Sequence, residues 1–128
     1  MPHASLTRIV EFSATHRLPG PASGTAGKDH GHRYQCRVTV QGPFQPQSGG
    51  VMDLKAFDAL LAREVTAKFE GRHINDLPEF QDGRWVPTGE ALAVYIWERL
   101  AAALPSGVSL HAVRVQEGPH LYSEYFGA

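Results

Sequence analysis

The sequence predicts an α+β domain in which four β-strands and two α-helices follow in the order ββααββ. Two observations lead to this prediction. Alternating apolar and polar residues, typical of half-buried strands, occur in two segments near the amino end and two near the carboxyl end. Between them, two segments carry apolar residues at helical spacing. Two helices covering one face of a four-stranded antiparallel sheet satisfy this order.

Length and composition restrict what the chain can be. Its 128 residues are enough for one domain, 1–128, with a real core. The net charge is −1, and neither a basic run nor an apolar run of membrane-spanning length is present, so we expect no nucleic-acid or membrane partner. Residues 1–4 lack the features of a signal peptide, which favours a cytoplasmic protein. A single cysteine, Cys36, excludes an internal disulfide framework.

The first two strands are predicted at residues 5–16 and 31–41. In the second, Tyr34 and Cys36 begin an apolar face that alternates with polar residues. A glycine-rich stretch, residues 20–29, reads as a flexible loop between the strands. A further turn follows at 46–50, so the two strands are expected to form an antiparallel ribbon.

Three histidines lie at the adjoining ends of these strands. His30 and His32 are two residues apart, so both imidazoles should project from one face. His16 ends the first strand in phase with its apolar residues. If the strands pair, three imidazoles can converge with one position left open, which is the arrangement of a catalytic zinc site. The alternative is that they are ordinary polar-face residues.

Two helices are predicted in the middle of the chain. Asp53 is placed to cap the first, which carries apolar residues at helical spacing to about Phe69. Thr88 caps the second, which is expected to reach Leu104 before Pro105 and Gly107 end it. The connection over residues 70–87 reads as irregular, and its length favours a functional role.

The last two strands are predicted at residues 108–117 and 120–126, separated by a Gly-Pro turn. A four-stranded sheet has two unpaired edges, and such edges invite pairing with another chain. Closure into a multi-chain barrel would remove them. We therefore expect a ring-shaped homo-oligomer, with a monomer that has blunted edges as the alternative.

Five short motifs follow one another at sensible spacing over nearly the whole chain. They are Phe-Ser-Ala-Thr-His-Arg-Leu at 12–18, His-Gly-His-x-Tyr at 30–34, Val-Met-Asp-Leu at 51–54, Pro-Thr-x-Glu at 87–90 and Val-Gln-Glu at 115–117. In these motifs the chain resembles the 6-pyruvoyl-tetrahydropterin and 6-carboxy-tetrahydropterin synthase family. The resemblance implies the tunnelling fold, a ββααββ unit whose trimers close a twelve-stranded barrel and stack in pairs as hexamers.

The resemblance also implies a site. By it, His16, His30 and His32 are the ligands of Zn²⁺, and Glu117 is the carboxylate that anchors the pterin ring. Thr88 and Glu90 match a second substrate-binding motif. Each of these last three residues has a simpler interpretation: Glu117 as a solvated strand end, and Thr88 with Glu90 as a capped helix start.

The chain departs from the family at its proton-transfer residues. The family's cysteine corresponds to Ala26, and its Asp-His pair corresponds to Glu70 and Gly71. Cys36 lies within a strand and is expected to be a small core residue rather than a substitute. A missing general acid or base typically costs about 10²–10⁴-fold in rate.

Three nearby residues are candidates for the lost catalytic groups: Asp29, Glu70 and His73. For each, a simpler interpretation as an exposed surface residue stays open.

Three hypotheses about function follow. The first is a zinc enzyme acting on dihydroneopterin triphosphate or a related reduced pterin, as a carbon–oxygen lyase or by aldolase-like side-chain cleavage. The second is an inactive homologue that binds zinc and a pterin or deazapurine without turnover. The third is a structural oligomer with incidental histidines. The resemblance fits tetrahydrobiopterin and queuosine biosynthesis equally.

Overall fold

A five-stranded mixed sheet runs through the structure, a computed structural model that describes residues 2–19, 28–81 and 84–128. The strands are β1 (His3–His16), β2 (His30–Pro43), β3 (Arg72–His73), β4 (Ser109–Gly118) and β5 (Leu121–Tyr125). Their order in the sheet is β3-β1-β2-β4-β5. Neighbours are antiparallel, except that β3 runs parallel to β1.

The prediction of a purely antiparallel, four-stranded sheet is therefore wrong by one strand. Arg72 and His73 pair with Ala14 and Thr15, within the connection that was expected to be irregular. Two residues are too few for an alternating pattern to be recognised in a sequence. The remainder of that connection includes two single 3₁₀ turns, Ile74–Asp76 and Pro78–Phe80. The four predicted strands are all present, with ends shifted by one or two residues.

Strands β1 and β2 form a long ribbon that positions the histidines. They pair along fourteen residues each, from His3 opposite Pro43 to His16 opposite His30. Along this ribbon, alternate side chains face the core: Phe12, Ala14 and Tyr34 are buried. The predicted alternation is thus confirmed, and the register brings the histidine-bearing ends of both strands to the same end of the sheet.

Two helical regions pack on the inward face of the sheet. The first is α1 (Leu54–Leu61), which continues through a π-helical turn (Ala62–Thr66) into a short α2 (Ala67–Phe69). The second is α3 (Gly89–Ala101), which ends three residues before the predicted Leu104.

Both predicted caps are present. The Asp53 carboxylate accepts a hydrogen bond from the backbone N–H of Ala56 at 2.9 Å, and the Thr88 hydroxyl accepts one from Ala91 at 3.1 Å. These bonds satisfy amide donors that the first turn of each helix leaves without partners.

The core lies between the helices and this face. Phe12 stacks on Tyr34 and on Phe69, with ring centroids 5.0 and 5.1 Å apart, so the ribbon and α2 share one aromatic cluster. Cys36 is completely buried in the same core, as the sequence predicted, and burial raises the pKa of its thiol to about 12.

Residues 20–27, which hold most of the predicted glycine-rich loop and Ala26, lie outside the described part of the chain. Among the described residues, no helix combines the length and the hydrophobicity that crossing a membrane requires.

Candidate metal and ligand site

Three imidazoles meet at the end of the β1–β2 ribbon. The Nε2 atom of His16 lies 3.0 Å from Nε2 of His30 and 3.1 Å from Nε2 of His32. His16 is buried, with 1 % of its surface exposed, whereas the other two are partly exposed. The structure therefore brings together the three histidines that the alternation of the two strands predicts to converge. The two more exposed histidines are those on β2.

Backbone carbonyls fix how two of these rings present their nitrogens. Nδ1 of His16 lies 2.8 Å from the carbonyl oxygen of Pro87, and Nδ1 of His30 lies 2.8 Å from that of Lys28. Because a carbonyl can only accept, each Nδ1 carries the proton and donates it. Each Nε2 is then left with a lone pair that points into the cluster, as a metal ligand requires.

The spacing of the three nitrogens fits a tetrahedral metal. Lone pairs facing one another at 3.0–3.1 Å repel unless a cation or a proton lies between them. Zinc–nitrogen bonds of about 2.0–2.1 Å at tetrahedral angles separate their ligands by roughly 3.3 Å, close to these distances. Three neutral imidazoles with one position open are a donor set that suits Zn²⁺.

The electrostatics of the cluster favour the form that binds metal. Burial lowers the pKa of His16, an effect that the Pro87 carbonyl opposes and the neighbouring imidazoles reinforce. Burial likewise lowers the pKa of His32. A lowered pKa keeps an imidazole neutral near pH 7, and only the neutral form can donate a lone pair to a metal.

Glu117 faces the cluster from β4. Its Oε1 atom lies 3.9 Å from Nε2 of His16, and 9 % of its side chain is exposed. Burial raises the pKa of Glu117, and the charge of Glu90 raises it further. A mostly buried carboxylate is suited to accept hydrogen bonds from the N–H groups of a ligand. The solvated strand-end interpretation does not describe this environment.

Thr88 and Glu90 flank the same carboxylate at the start of α3. The Thr88 hydroxyl is engaged as the helix cap, while Glu90 is exposed and accepts a long hydrogen bond of 3.4 Å from Ser123. Gly89 lies between them: a Cβ atom built there would sit 3.1 Å from Oε2 of Glu117. The beginning of α3 thus closes against the Glu117 side chain.

Asp29 and His73 meet each other beside the cluster. Nε2 of His73 lies 3.7 Å from Oδ1 of Asp29, and its Nδ1 lies 2.8 Å from the Thr15 hydroxyl. Arg17 donates to the same Asp29 oxygen at 2.9 Å. Because side chains alternate along β1, Thr15 projects to the sheet face opposite that of His16. The pair therefore lies at the same end of the sheet as the three histidines, but on its other face.

Glu70 lies apart from both groups. Its carboxylate is 3.3–3.4 Å from the backbone N–H of Ser13 and 3.5 Å from Arg33, and its side chain is 46 % exposed. The next residue, Gly71, has a φ of 71°, the left-handed conformation that commonly ends a helix. Glu70 therefore contacts residues of the β1–β2 ribbon rather than the three histidines.

Three residues of this region were not identified from the sequence as parts of the site. The carbonyl of Pro87 orients His16, but every residue has a backbone carbonyl, so the sequence does not indicate which one will accept this hydrogen bond. Ser123, on β5, touches the Thr88–Glu90 segment only because the sheet brings β5 to the start of α3. Tyr34 was assigned only to the apolar face, yet its hydroxyl lies 3.3 Å from Nδ1 of His16.

Comparison with known proteins places this geometry among pterin synthases. Residues 5–128 match the family model described as 6-pyruvoyl tetrahydropterin synthase. The human 6-pyruvoyl tetrahydrobiopterin synthase is 34% identical over 128 residues, covering 89% of this chain and 85% of that protein. The 6-carboxy-5,6,7,8-tetrahydropterin synthase of Bacillus subtilis is 29% identical over 125 residues, covering 94% and 83%. The solved structure of Caenorhabditis elegans 6-pyruvoyl tetrahydropterin synthase superposes with a TM-score of 0.87 at 27% identity, covering 100% of this chain and 98% of that one.

Proposed function

Because the chain belongs to the 6-pyruvoyl tetrahydropterin synthase family, we propose that it is a zinc-dependent enzyme acting on the side chain of dihydroneopterin triphosphate or a related reduced pterin. The observation that carries the proposal is the pairing of three converging Nε2 atoms with the carboxylate of Glu117, 3.9 Å from the nearest of them. The histidines would hold the metal and the carboxylate would hold the ring, so the side chain between them would lie at the metal.

In this proposal, different residues bind the metal and the pterin ring. When bound, zinc supplies Lewis-acid chemistry that acidifies hydroxyl protons of the substrate side chain. His16, His30 and His32 are the residues that would hold it. Glu117 accepts hydrogen bonds from the 2-amino group and the neighbouring ring N–H of the pterin, and its low exposure strengthens such charge-assisted bonds. Thr88 and Glu90 shape the entrance to this ring site.

If the site turns substrate over, we assign proton transfer to His73 with Asp29, a pair that lies at the histidine end of the sheet and would reach the substrate around that end. Their separation of 3.7 Å and the Thr15 hydroxyl at 2.8 Å from His73 support this pairing of an imidazole with a carboxylate. Glu70, whose contacts are with Ser13 and Arg33, has less support as an acid or base. Aldolase-like cleavage needs fewer proton transfers than the synthase reaction, and it suits a site with one such pair.

A second function has its own supporting observation. By the resemblance, Gly71, which has no side chain, occupies the family's imidazole position, and the buried Cys36 thiol offers no replacement for the family's cysteine. Asp29 and His73 also lie on the face away from the histidines. These facts favour a homologue that binds zinc and a pterin or deazapurine without converting it.

The proposed enzyme is a cytoplasmic homo-oligomer, either a trimer or a hexamer. In the described residues, β5 is one edge of the sheet, and β1 pairs on its outer side only with the two residues of β3; such open edges support association of identical chains. Its partner is a small pterin, with neither nucleic acid nor membrane involved, in keeping with a net charge of −1.

One experiment on the purified protein tests the metal, and a second tests turnover. We expect one zinc ion per chain by metal analysis, lost in His30→Ala and retained in His3→Ala, because His3 lies at the opposite end of β1. Zinc-loaded protein is then incubated with dihydroneopterin triphosphate, and release of triphosphate, a side-chain aldehyde or a changed pterin absorbance is measured. Tight binding without product over hours would favour the non-catalytic function, and protein that takes up no zinc would overturn both.

A further inference from the structure

Gly89 is the first residue of α3, and two side-chain oxygens, one from β4 and one from β5, approach the helix there. A Cβ atom built on Gly89 would lie 2.8 Å from the Ser123 hydroxyl and 3.1 Å from Oε2 of Glu117. The first distance is shorter than real Cβ contacts allow, and the second is tighter than most. The φ of Gly89 is not in the left-handed region, so backbone conformation does not demand glycine here. Glycine is required because a side chain at this position would occupy the space of these two oxygens.

Ser123 reaches this place from β5. It pairs with Val115 on β4, two residues before Glu117, so the sheet register delivers its hydroxyl to the carboxylate end of the site. The hydroxyl donates to Oε1 of Glu90 at 3.4 Å. Ser123 is partly buried, whereas Glu90 is exposed and would otherwise be free to turn into solvent. One hydroxyl thus joins the start of α3 to the strand pair that carries Glu117.

We propose that Ser123 is a further positioning residue of the ligand site, holding the Glu90 carboxylate beside that of Glu117 in the space that Gly89 leaves open. This inference rests on the proposed function, because it concerns how the same site recognises its ring. Two carboxylates on one side of a pocket repel each other and attract a ligand edge with several N–H donors. The amino-pyrimidine edge of a pterin presents such donors, and a ring without the 2-amino group would lose one of them.

The positioning role is tested by a double-mutant cycle on the zinc-loaded full chain, with neopterin as the probe and calorimetry as the readout. Ser123→Ala should weaken neopterin binding about three- to ten-fold, the range of one net hydrogen bond. In a Glu90→Ala background the same change should have no effect, because Ser123 acts through Glu90. The exposed Ser109→Ala, at the start of β4, is the matched control and should bind as the parent does.

The requirement for glycine at position 89 is tested by a second pair of variants. Gly89→Ala should weaken binding more than Ser123→Ala does, because its new methyl group displaces both oxygens. Adding Ser123→Ala to Gly89→Ala removes the 2.8 Å contact and should recover part of the lost affinity. Zinc content and thermal stability are measured for every variant, since a merely structural serine would lower stability without this recovery.

The outcomes separate this inference from the proposed function. Parent protein that binds neopterin while Ser123→Ala binds equally well, or shows the same loss with and without Glu90, would overturn the role of Ser123 alone. Gly89→Ala binding as tightly as the parent would overturn it as well. Parent protein that carries zinc but binds no neopterin would overturn both.

Discussion

Backbone carbonyls accept hydrogen bonds from two of the three histidines and thereby orient their rings. Strand phase predicts which face an imidazole occupies, but not which ring nitrogen points inward. The carbonyls of Pro87 and Lys28 decide that for His16 and His30 by accepting from Nδ1. Convergence of the three residues could therefore be predicted from the sequence, whereas their ligand atoms could be identified only from coordinates.

Cys36 gives a direct test of burial at the residue scale. Burial raises the pKa of its thiol to about 12, so at pH 8 the thiol is neutral in almost all molecules. Because the thiolate is the reactive form and the side chain is buried, the folded protein should be inert to a thiol reagent at pH 8. We expect stoichiometric labelling only after denaturation, measured with a chromogenic disulfide, and Cys36 is the only cysteine to contribute.

The control for this prediction is the pH dependence. Because the raised pKa favours the neutral thiol, labelling of the folded protein should increase as the pH is raised and decrease as it is lowered. Rapid labelling of the folded chain at pH 8 would show an accessible thiolate and would contradict the burial of Cys36.

Glu117 gives the second test at this scale. Glu117→Gln keeps the size of the side chain but removes the charge that, in the proposed function, strengthens two hydrogen bonds to the pterin ring. Since hydrogen bonds to a charged group contribute about 1.5–3 kcal/mol each, pterin affinity should fall about 100-fold or more. Zinc should stay bound, because the candidate metal-binding group among the described residues consists of His16, His30 and His32 and does not include Glu117.

Glu11→Gln is the matched control, because Glu11 lies on the exposed face of β1. Both variants are compared by calorimetry with neopterin and by metal analysis. Undiminished affinity in Glu117→Gln would remove this carboxylate from the site.

At the scale of elements, the patterns that could be read from the sequence are those that extend over many residues. The alternation of β1 and β2 and the two capped helices all follow from periodicity and cap chemistry. Strand β3 could not be predicted, because two residues carry no period and their pairing with β1 depends on how the chain leaves α2. The same turn places His73 against Thr15, so its meeting with Asp29 was equally beyond the sequence.

Gly71 makes that turn, and it provides the prediction at this scale. Its φ of 71° is left-handed, so Gly71→Ala should lower the free energy of unfolding by about 1–2 kcal/mol. Gly118→Ala is a close control, because neither position has an atom within 4 Å of the new methyl group and only Gly71 has a positive φ. Chemical denaturation of the metal-free protein measures both.

A loss in Gly71→Ala that is no larger than in Gly118→Ala would contradict the assignment of strain to this turn. A histidine introduced at position 71 would meet the same backbone cost, because its φ would also be positive.

At the scale of the whole molecule, the sheet leaves two long edges without partners in the described chain. Strand β1 pairs with β3 only at Ala14 and Thr15, so most of its outer edge is free. Strand β5 is the other edge, and Leu121 and Tyr122 on it are 57 % and 50 % exposed. Exposed apolar residues on an open edge are typical of a surface that pairs with another chain.

The expected homo-oligomer makes stability depend on concentration. If chains associate through these edges, the melting temperature should rise with protein concentration, because association stabilises only the folded state. Sedimentation should give a mass of three or six times 14.0 kDa.

Leu121→Lys should then weaken association and lower the melting temperature at low concentration, since it places a charge in an apolar contact. Gln47→Lys, in the exposed turn after β2, adds the same charge and should change neither quantity. A sedimenting mass of one chain at all concentrations, with Leu121→Lys as stable as Gln47→Lys, would leave the edges facing solvent and would require the ligand site to be complete within a single chain.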